Sequence, residues 1–267
     1  MNKPQHKILL QGGNTIHYFV SGIQNNEAII FLHPAFCDHT CFYKQVEFFA
    51  KSFQVITIDL MGHGLSQPTK GKDKIDKSTE HIFAILQQEN ISKTHIVGVS
   101  MGSLIAQYFA LLYPDATLSL TVLGGYNINH NNKEINQTQR KEMFRWLFKV
   151  IFSMDAFRKY VGSVSALNQK EQALFYESSK RFTRKSFSAM SGLGNIIKER
   201  EFTPRSYPLL ILTGESDLAV ARKAACEWRE EEPDSHFFSI EKAGHCANMD
   251  NAEQFNTIVS EFILNYS

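Results

Sequence analysis

Gly98-Val99-Ser100-Met101-Gly102 is the stretch that decides how this chain folds. It reads as a G-x-S-x-G nucleophile elbow, a serine held on a sharp turn from strand to helix. Just before it, Thr94-His95-Ile96-Val97 is a short, largely β-branched run that fits a buried strand. Just after it, Ser103-Leu104-Ile105-Ala106-Gln107-Tyr108-Phe109-Ala110-Leu111-Leu112 has a helical pattern that ends before Pro114. Small residues two before and two after the serine let neighbouring backbone come close. The turn lifts the hydroxyl clear of the sheet and aims the first N–H groups of the helix at whatever it attacks.

An elbow of this kind is followed along the chain by an acid and then a histidine. Downstream, Tyr207-Pro208-Leu209-Leu210-Ile211-Leu212-Thr213-Gly214-Glu215-Ser216-Asp217 is an apolar strand ending in a turn that carries two acids. His236-Phe237-Phe238-Ser239-Ile240-Glu241-Lys242-Ala243-Gly244-His245 is another strand, ending in Gly-His. The ends of parallel strands are where sites form in open α/β sheets. His245 is therefore the expected base, with Asp217 or the competing Glu215 as the acid that orients it. Read alone, Asp217 is a helix cap and His245 a loop histidine. The order and the strand ends favour the triad.

Ala28-Ile29-Ile30-Phe31-Leu32-His33-Pro34-Ala35-Phe36 is an apolar strand running into a loop. In hydrolases with this elbow, that loop gives one oxyanion N–H and the residue after the nucleophile gives the other. The expected donors are the backbones of Ala35 and Met101.

The chain resembles an α/β-hydrolase of the esterase, lactonase and C–C hydrolase superfamily. The resemblance rests on His33-Pro34-Ala35-Phe36, Asp59-Leu60-Met61-Gly62-His63-Gly64-Leu65-Ser66, the elbow, Gly214-Glu215-Ser216-Asp217 and Ala243-Gly244-His245. It spans about residues 8–264 apart from a middle insertion. It implies a catalytic set of Ser100, Asp217 and His245, the Gly-x-x-Asp spacing favouring Asp217 over Glu215. One departure is Pro34, where such loops carry Gly. Proline lacks an N–H and fixes φ, but the N–H required is that of Ala35. His63 is expected to bond backbone rather than substrate.

Strands near 28–33, 54–59, 94–99, 118–123, 208–213 and 236–240 alternate with helices near 41–51, 78–90, 101–113, 218–230 and 252–265, after a hairpin over 8–21 turning at Gly12-Gly13-Asn14. That alternation implies a mostly parallel central sheet with helices on both faces. Residues 1–126 and 206–267 form the expected core, and 127–205 a helical cap (lid) insertion. Met143-Phe144-Arg145-Trp146-Leu147-Phe148-Lys149-Val150-Ile151-Phe152-Ser153-Met154 is apolar almost all round, so a helix there needs partners on several sides. A lid over the site meets that need, with further helices near 155–162, 169–182 and 184–198. Phe36, Met101, Trp146, Phe148 and Phe152 are the expected apolar lining of the substrate pocket.

The 267 residues are 43% hydrophobic, enough for a full core. A net charge of +1 gives no sign of nucleic-acid binding, and no apolar run approaches a membrane span. Residues 130–205 nevertheless carry 15 Lys or Arg against 7 Asp or Glu, a net of +8. This reads as either a cap that attracts anions or the solvated faces of its helices. Cys37, Cys41, Cys226 and Cys246 show no metal spacing and are expected as free thiols in a reducing cytoplasm. The histidines form no metal set, no dinucleotide fingerprint occurs, and no cofactor or metal is implied. The expected molecule is a cytoplasmic monomer or homodimer acting on a small acyl substrate. Three functions fit: hydrolysis of a small to medium carboxylic ester, thioester or lactone through an acyl-enzyme on Ser100; C–C bond hydrolysis, a lyase step or perhydrolysis on the same triad; and non-enzymatic sensing of a small ligand.

Overall fold

The computed structural model describes residues 3–67, 73–130, 137, 149–201 and 203–266. Strand β1 (Gln5–Gln11) pairs antiparallel with β2 (Asn14–Ser21) across Gly12 and Gly13. Both glycines have positive φ, 60° and 78°, which a two-residue hairpin turn requires. The remaining strands are β3 (Ala28–Leu32), β4 (Gln54–Ile58), β5 (Thr94–Val99), β6 (Thr117–Leu123), β7 (Leu209–Gly214) and β8 (His236–Ile240). The helices are α1 (Tyr43–Phe49), α2 (Ser78–Gln88), α3 (Met101–Leu112), α4 (Met154–Ser165), α5 (Gln169–Ser179), α6 (Ser186–Met190), α7 (Leu193–Ile196), α8 (Ala219–Glu231), α9 (Ala247–Asp250) and α10 (Ala252–Leu264).

The eight strands form one sheet in the order β1-β2-β4-β3-β5-β6-β7-β8. Only the β1–β2 and β2–β4 pairings are antiparallel. The central strands β3, β5 and β7 are buried at every position, so their sequences are apolar runs rather than alternating ones. Period-two alternation still sorts their side chains. Ile30, Leu32, Ile56, Ile58 and Ile96 share a core with Ile82 and Ile85 of α2, Leu104 and Phe109 of α3 and Trp228 of α8. Ile29, Phe31, Val55, Val97 and Val99 share the other core with Phe49 of α1 and Phe255, Val259 and Phe262 of α10. The expected α/β architecture is therefore what the chain adopts.

Between β6 and β7 the described residues contain helices and no strand. Residues 149–152 are helical, and most of the expected 143–154 helix lies outside the described residues. Helices α4 and α5 fall close to their expected places. The helix expected over 184–198 is instead two short pieces, α6 and α7, separated at Ser191-Gly192. Gly192 and Gly194 weaken helix formation there, each by about 1 kcal/mol relative to alanine. The insertion packs on loops at the carboxyl ends of the strands. Cys246 N–H donates to the Ser165 carbonyl at 2.7 Å, and a side chain at Gly62 would press on Ala189 of α6.

Candidate active site

Ser100 joins β5 to α3 with φ 52° and ψ −117°, a backbone conformation that a residue with a side chain adopts only when its surroundings force it. The surroundings are on both sides. Its N–H donates to the Leu123 carbonyl at 2.8 Å, and its carbonyl accepts from Ser103 N–H at 2.9 Å and Ser103 Oγ at 2.6 Å. The flanking glycines are there for space. A Cβ on Gly98 would strike the Gly102 carbonyl, and one on Gly102 would strike the Leu32 carbonyl.

His245 follows β8, and its Nε2 lies 2.7 Å from Ser100 Oγ. Its Nδ1 lies 2.9 Å from Asp217 Oδ1. A carboxylate only accepts, so Nδ1 carries the proton and donates it, which leaves Nε2 free to accept from the serine hydroxyl. Burial pushes the His245 pKa down, but the Asp217 charge and hydrogen bond together outweigh it, and the net shift is upward from 6.5. Asp217 is buried at the end of the β7 turn, where its N–H donates to the Gly214 carbonyl at 3.1 Å. The competing acid faces elsewhere: Glu215 Oε2 accepts the Lys242 N–H at 3.0 Å. Three side chains separated by up to 145 residues thus form one hydrogen-bonded chain.

The loop after β3 runs beneath the elbow. His33 Nε2 accepts the Leu60 N–H at 3.0 Å, so its Nδ1 donates to the Pro34 carbonyl at 2.8 Å. Burial holds this ring neutral by lowering its pKa. Pro34 is thereby fixed from its carbonyl side. Ala35 N–H donates no backbone hydrogen bond among the described residues. Met101 is the first residue of α3, so its N–H has no carbonyl one turn back.

The expected pocket lining fares differently. Phe36 is 5% exposed and lies in an aromatic cluster with Phe157, Phe182 and Phe187 of the insertion. Met101 is buried in the α2/α3 core. Phe152 is 72% exposed, so it is a surface residue and not the wall of an enclosed pocket. The all-round apolar pattern suggested burial, but at this end Val150 is buried, Met154 is partly buried, and Ile151 and Phe152 are exposed. Trp146 and Phe148 lie outside the described residues. The aromatic trio of the insertion was not singled out in the sequence, where nothing distinguishes it among 21 phenylalanines.

His63 behaves as a backbone-bonding residue. Its Nδ1 is 3.1 Å from the Met61 carbonyl, and burial, reinforced by His33, pushes its pKa down to about 3. Asp38, His39 and Asp59 bring potential metal-ligating atoms within 4.8 Å of one another. Their oxygens are already engaged: Asp38 by Thr40 and Arg181, Asp59 by His39 and Leu65. Arg181 supplies the positive charge that a cation would. Of the cysteines, Cys37, Cys41 and Cys246 are buried free thiols and Cys226 is exposed.

Known proteins share this fold. The family model for the alpha/beta hydrolase fold matches residues 27–148. The chain is 22% identical to an (E)-2-((N-methylformamido)methylene)succinate hydrolase of Acinetobacter baylyi, over 95% of this chain and 96% of that protein. It is 25% identical to 3-oxoadipate enol-lactonase 1 of the same organism, over 97% of each. A thermophilic esterase from Thermogutta terrifontis superposes with a TM-score of 0.82 at 19% identity, covering 98% of this chain and all of that one. No helix among the described residues is long and apolar enough to cross a membrane. From its sheet, its elbow and these likenesses, the chain has the alpha/beta hydrolase fold.

Proposed function

We propose that this α/β-hydrolase cleaves small to medium carboxylic esters, thioesters or lactones through an acyl-enzyme on Ser100. The observation that carries this reading is the continuous chain Ser100 Oγ–His245 Nε2 at 2.7 Å and His245 Nδ1–Asp217 Oδ1 at 2.9 Å. Ser100 Oγ attacks the carbonyl carbon while its proton passes to His245 Nε2. The carbonyl oxygen becomes an oxyanion held by the N–H groups of Ala35 and Met101. Collapse breaks the bond to the leaving oxygen or sulfur, which takes the proton from His245. Water then attacks the acyl-enzyme with His245 as base, releasing the acid and restoring the serine. Asp217 keeps the imidazole in the required tautomer and stabilises its cation.

Residues 127–205 act in this reading as a cap above the strand ends. Both relatives from Acinetobacter baylyi carry a dicarboxylate in the name of their substrate. The net +8 of residues 130–205 supports the same preference here, an acyl substrate with a second, anionic group. A fluorophosphonate probe tests the mechanism. It should label the wild-type protein and leave Ser100→Ala unlabelled; labelling that survives this change refutes the acyl-enzyme. A panel of p-nitrophenyl esters, lactones and vinylogous diketones sorts the substrate class. Turnover of diketones with negligible ester turnover would overturn the ester and lactone assignment.

A further inference from the structure

Three consecutive residues of the loop after β3 each have a partner in the cap. Phe36 packs edge-to-face on Phe157 and on Phe182, ring centroids 5.1 Å apart in both cases, and tilts against Phe187 at 6.1 Å. Cys37 Sγ lies 3.0 Å from Ser178 Oγ. Asp38 Oδ2 accepts a hydrogen bond from Arg181 Nη1 at 2.7 Å. The residue immediately before these three is Ala35, the oxyanion donor of the proposed mechanism.

Phe36 also stands at φ 70°, in the left-handed region that bulky side chains avoid. Strain of this kind persists only where surroundings over-determine it. Here they are rings of the cap: Phe157 and Phe182 are 0% and 1% exposed, and relaxing φ would swing Phe36 out from between them. The torsion at stake turns the peptide that links Ala35 to Phe36, so it moves the backbone of Ala35 directly. Asp38 adds a second restraint. Its other oxygen accepts Thr40 N–H and Oγ1 at the start of the turn at His39–Phe42, so Arg181 grips a carboxylate already rooted in the core.

We propose that cap residues 178–182 are a positioning clamp for the oxyanion loop, with Arg181 and Phe182 acting through Asp38 and Phe36 to hold the Ala35 N–H on the developing oxyanion. The proposal rests on the serine-hydrolase reading above. The cap is then part of the catalytic geometry as well as a cover. Shifting it to admit substrate slackens the donor, and its return restores it. A charge developing on the carbonyl oxygen needs its donors fixed beforehand, because reorganising them during the reaction forfeits the benefit.

The test compares Arg181→Ala, Phe182→Leu and Arg181→Lys with the wild-type protein, active sites counted by fluorophosphonate titration. The control is Arg184→Ala, another cap arginine, whose guanidinium bonds the Val150 carbonyl within the insertion. Substrate is p-nitrophenyl acetate and the oxyanion analogue is a short alkyl trifluoromethyl ketone. For Arg181→Ala and Phe182→Leu, kcat per titrated site should fall about tenfold or more, short of the ~10²–10³ lost when an oxyanion donor is removed outright. KM should change little, the pH inflection of His245 should stay, and the ketone Ki should rise by the factor by which kcat/KM falls. Arg181→Lys should recover part of the loss, and Arg184→Ala should stay near wild type. Wild-type kcat in both clamp variants, or a loss that Arg184→Ala shares, overturns the clamp alone. So does a loss with unchanged ketone affinity. A wild-type protein that the probe labels no better than Ser100→Ala overturns the serine-hydrolase reading and the clamp with it.

Discussion

Asp217 Oδ1 stands 2.9 Å from His245 Nδ1 and also accepts the Leu218 N–H at 2.7 Å, so one carboxylate oxygen fixes both the imidazole and the chain entering α8. This pairing sets the expected pH dependence. Asp217 holds the His245 pKa above 6.5, and only neutral His245 can take the serine proton. Plots of kcat/KM against pH should therefore rise through an inflection above the ordinary histidine value. His33 and His63 do not supply it, because burial lowers both pKa values from the ordinary histidine one, that of His63 to about 3. Asp217→Asn should move the inflection down and lower kcat by about 10⁴-fold, the scale seen when a triad acid is neutralised. The same shift links to stability. A pKa raised by folding adds stability that is complete below about pH 6.5 and is lost as pH rises through the folded value. The pairing therefore stabilises the protonated form most, and the active form forgoes that share. An activity flat between pH 5 and 9 would count against His245 as base.

The elbow predicts a conflict between stability and activity at Ser100. With φ at 52°, the serine carries strain that glycine would not. Ser100→Gly should be more stable than Ser100→Ala by about 1 kcal/mol, although both lack the hydroxyl. Urea denaturation of the two variants measures this, and equal midpoints would show that the backbone there is not strained. Gly102→Ala should behave in the opposite way. Its new methyl would meet the Leu32 carbonyl, a fixed backbone atom, and should cost about 1–3 kcal/mol.

The legible parts of this molecule were those that sequence writes locally. Thr94–Val97 before Ser100 and the helical run after it announce strand, elbow and helix, and Asp217 and His245 show themselves because each ends a strand in a Gly-containing turn. Glu215 and Asp217 stood equal on residue type alone. What separates them is the Lys242 N–H, which takes Glu215 across the loop from β8. The insertion between β6 and β7 was legible only as helix. Arg181 and Asp38 are 143 residues apart, and nothing local to either signals the other. Phe152 misled for a related reason: an apolar run says that some face is buried but not which residues supply it.

Asp59 should make the loop before Ser66 acid-sensitive. Its buried carboxylate accepts His39 N–H at 3.0 Å, His39 Nδ1 at 2.7 Å and Leu65 N–H at 2.8 Å. Burial pushes its pKa up, but the bonds and charge of His39, with the Leu65 N–H, overcome that and lower it below 3.8. A carboxyl whose pKa folding depresses gives stability that is present above its unfolded value, about 3.9, and is lost as pH falls through the folded one. Asp59→Asn keeps the size but turns a donor toward an N–H, and should cost about 2–4 kcal/mol at pH 7. The difference from wild type should shrink as the pH is taken from about 4 toward 2. A constant difference across that range would show that the charge is not what stabilises the loop.

A buried ion pair fastens the insertion to α1. Lys44 in α1 pairs with Glu171 in α5 at 2.8 Å, and its ammonium also donates to the Met249 carbonyl at 2.8 Å. Burial pushes the Lys44 pKa down, but Glu171 more than restores it and the net shift is upward. Glu171 is 1% exposed, so its charge has little water to turn to. Removing the lysine should therefore hurt more than removing both partners. Lys44→Met leaves a buried carboxylate without its cation and should cost about 2–4 kcal/mol, while Lys44→Met with Glu171→Leu should recover most of that. Urea denaturation of the wild-type protein, both single variants and the double variant closes the cycle. An additive result, with the double variant as unstable as the sum of the singles, would mean that the pair does not couple the insertion to the core.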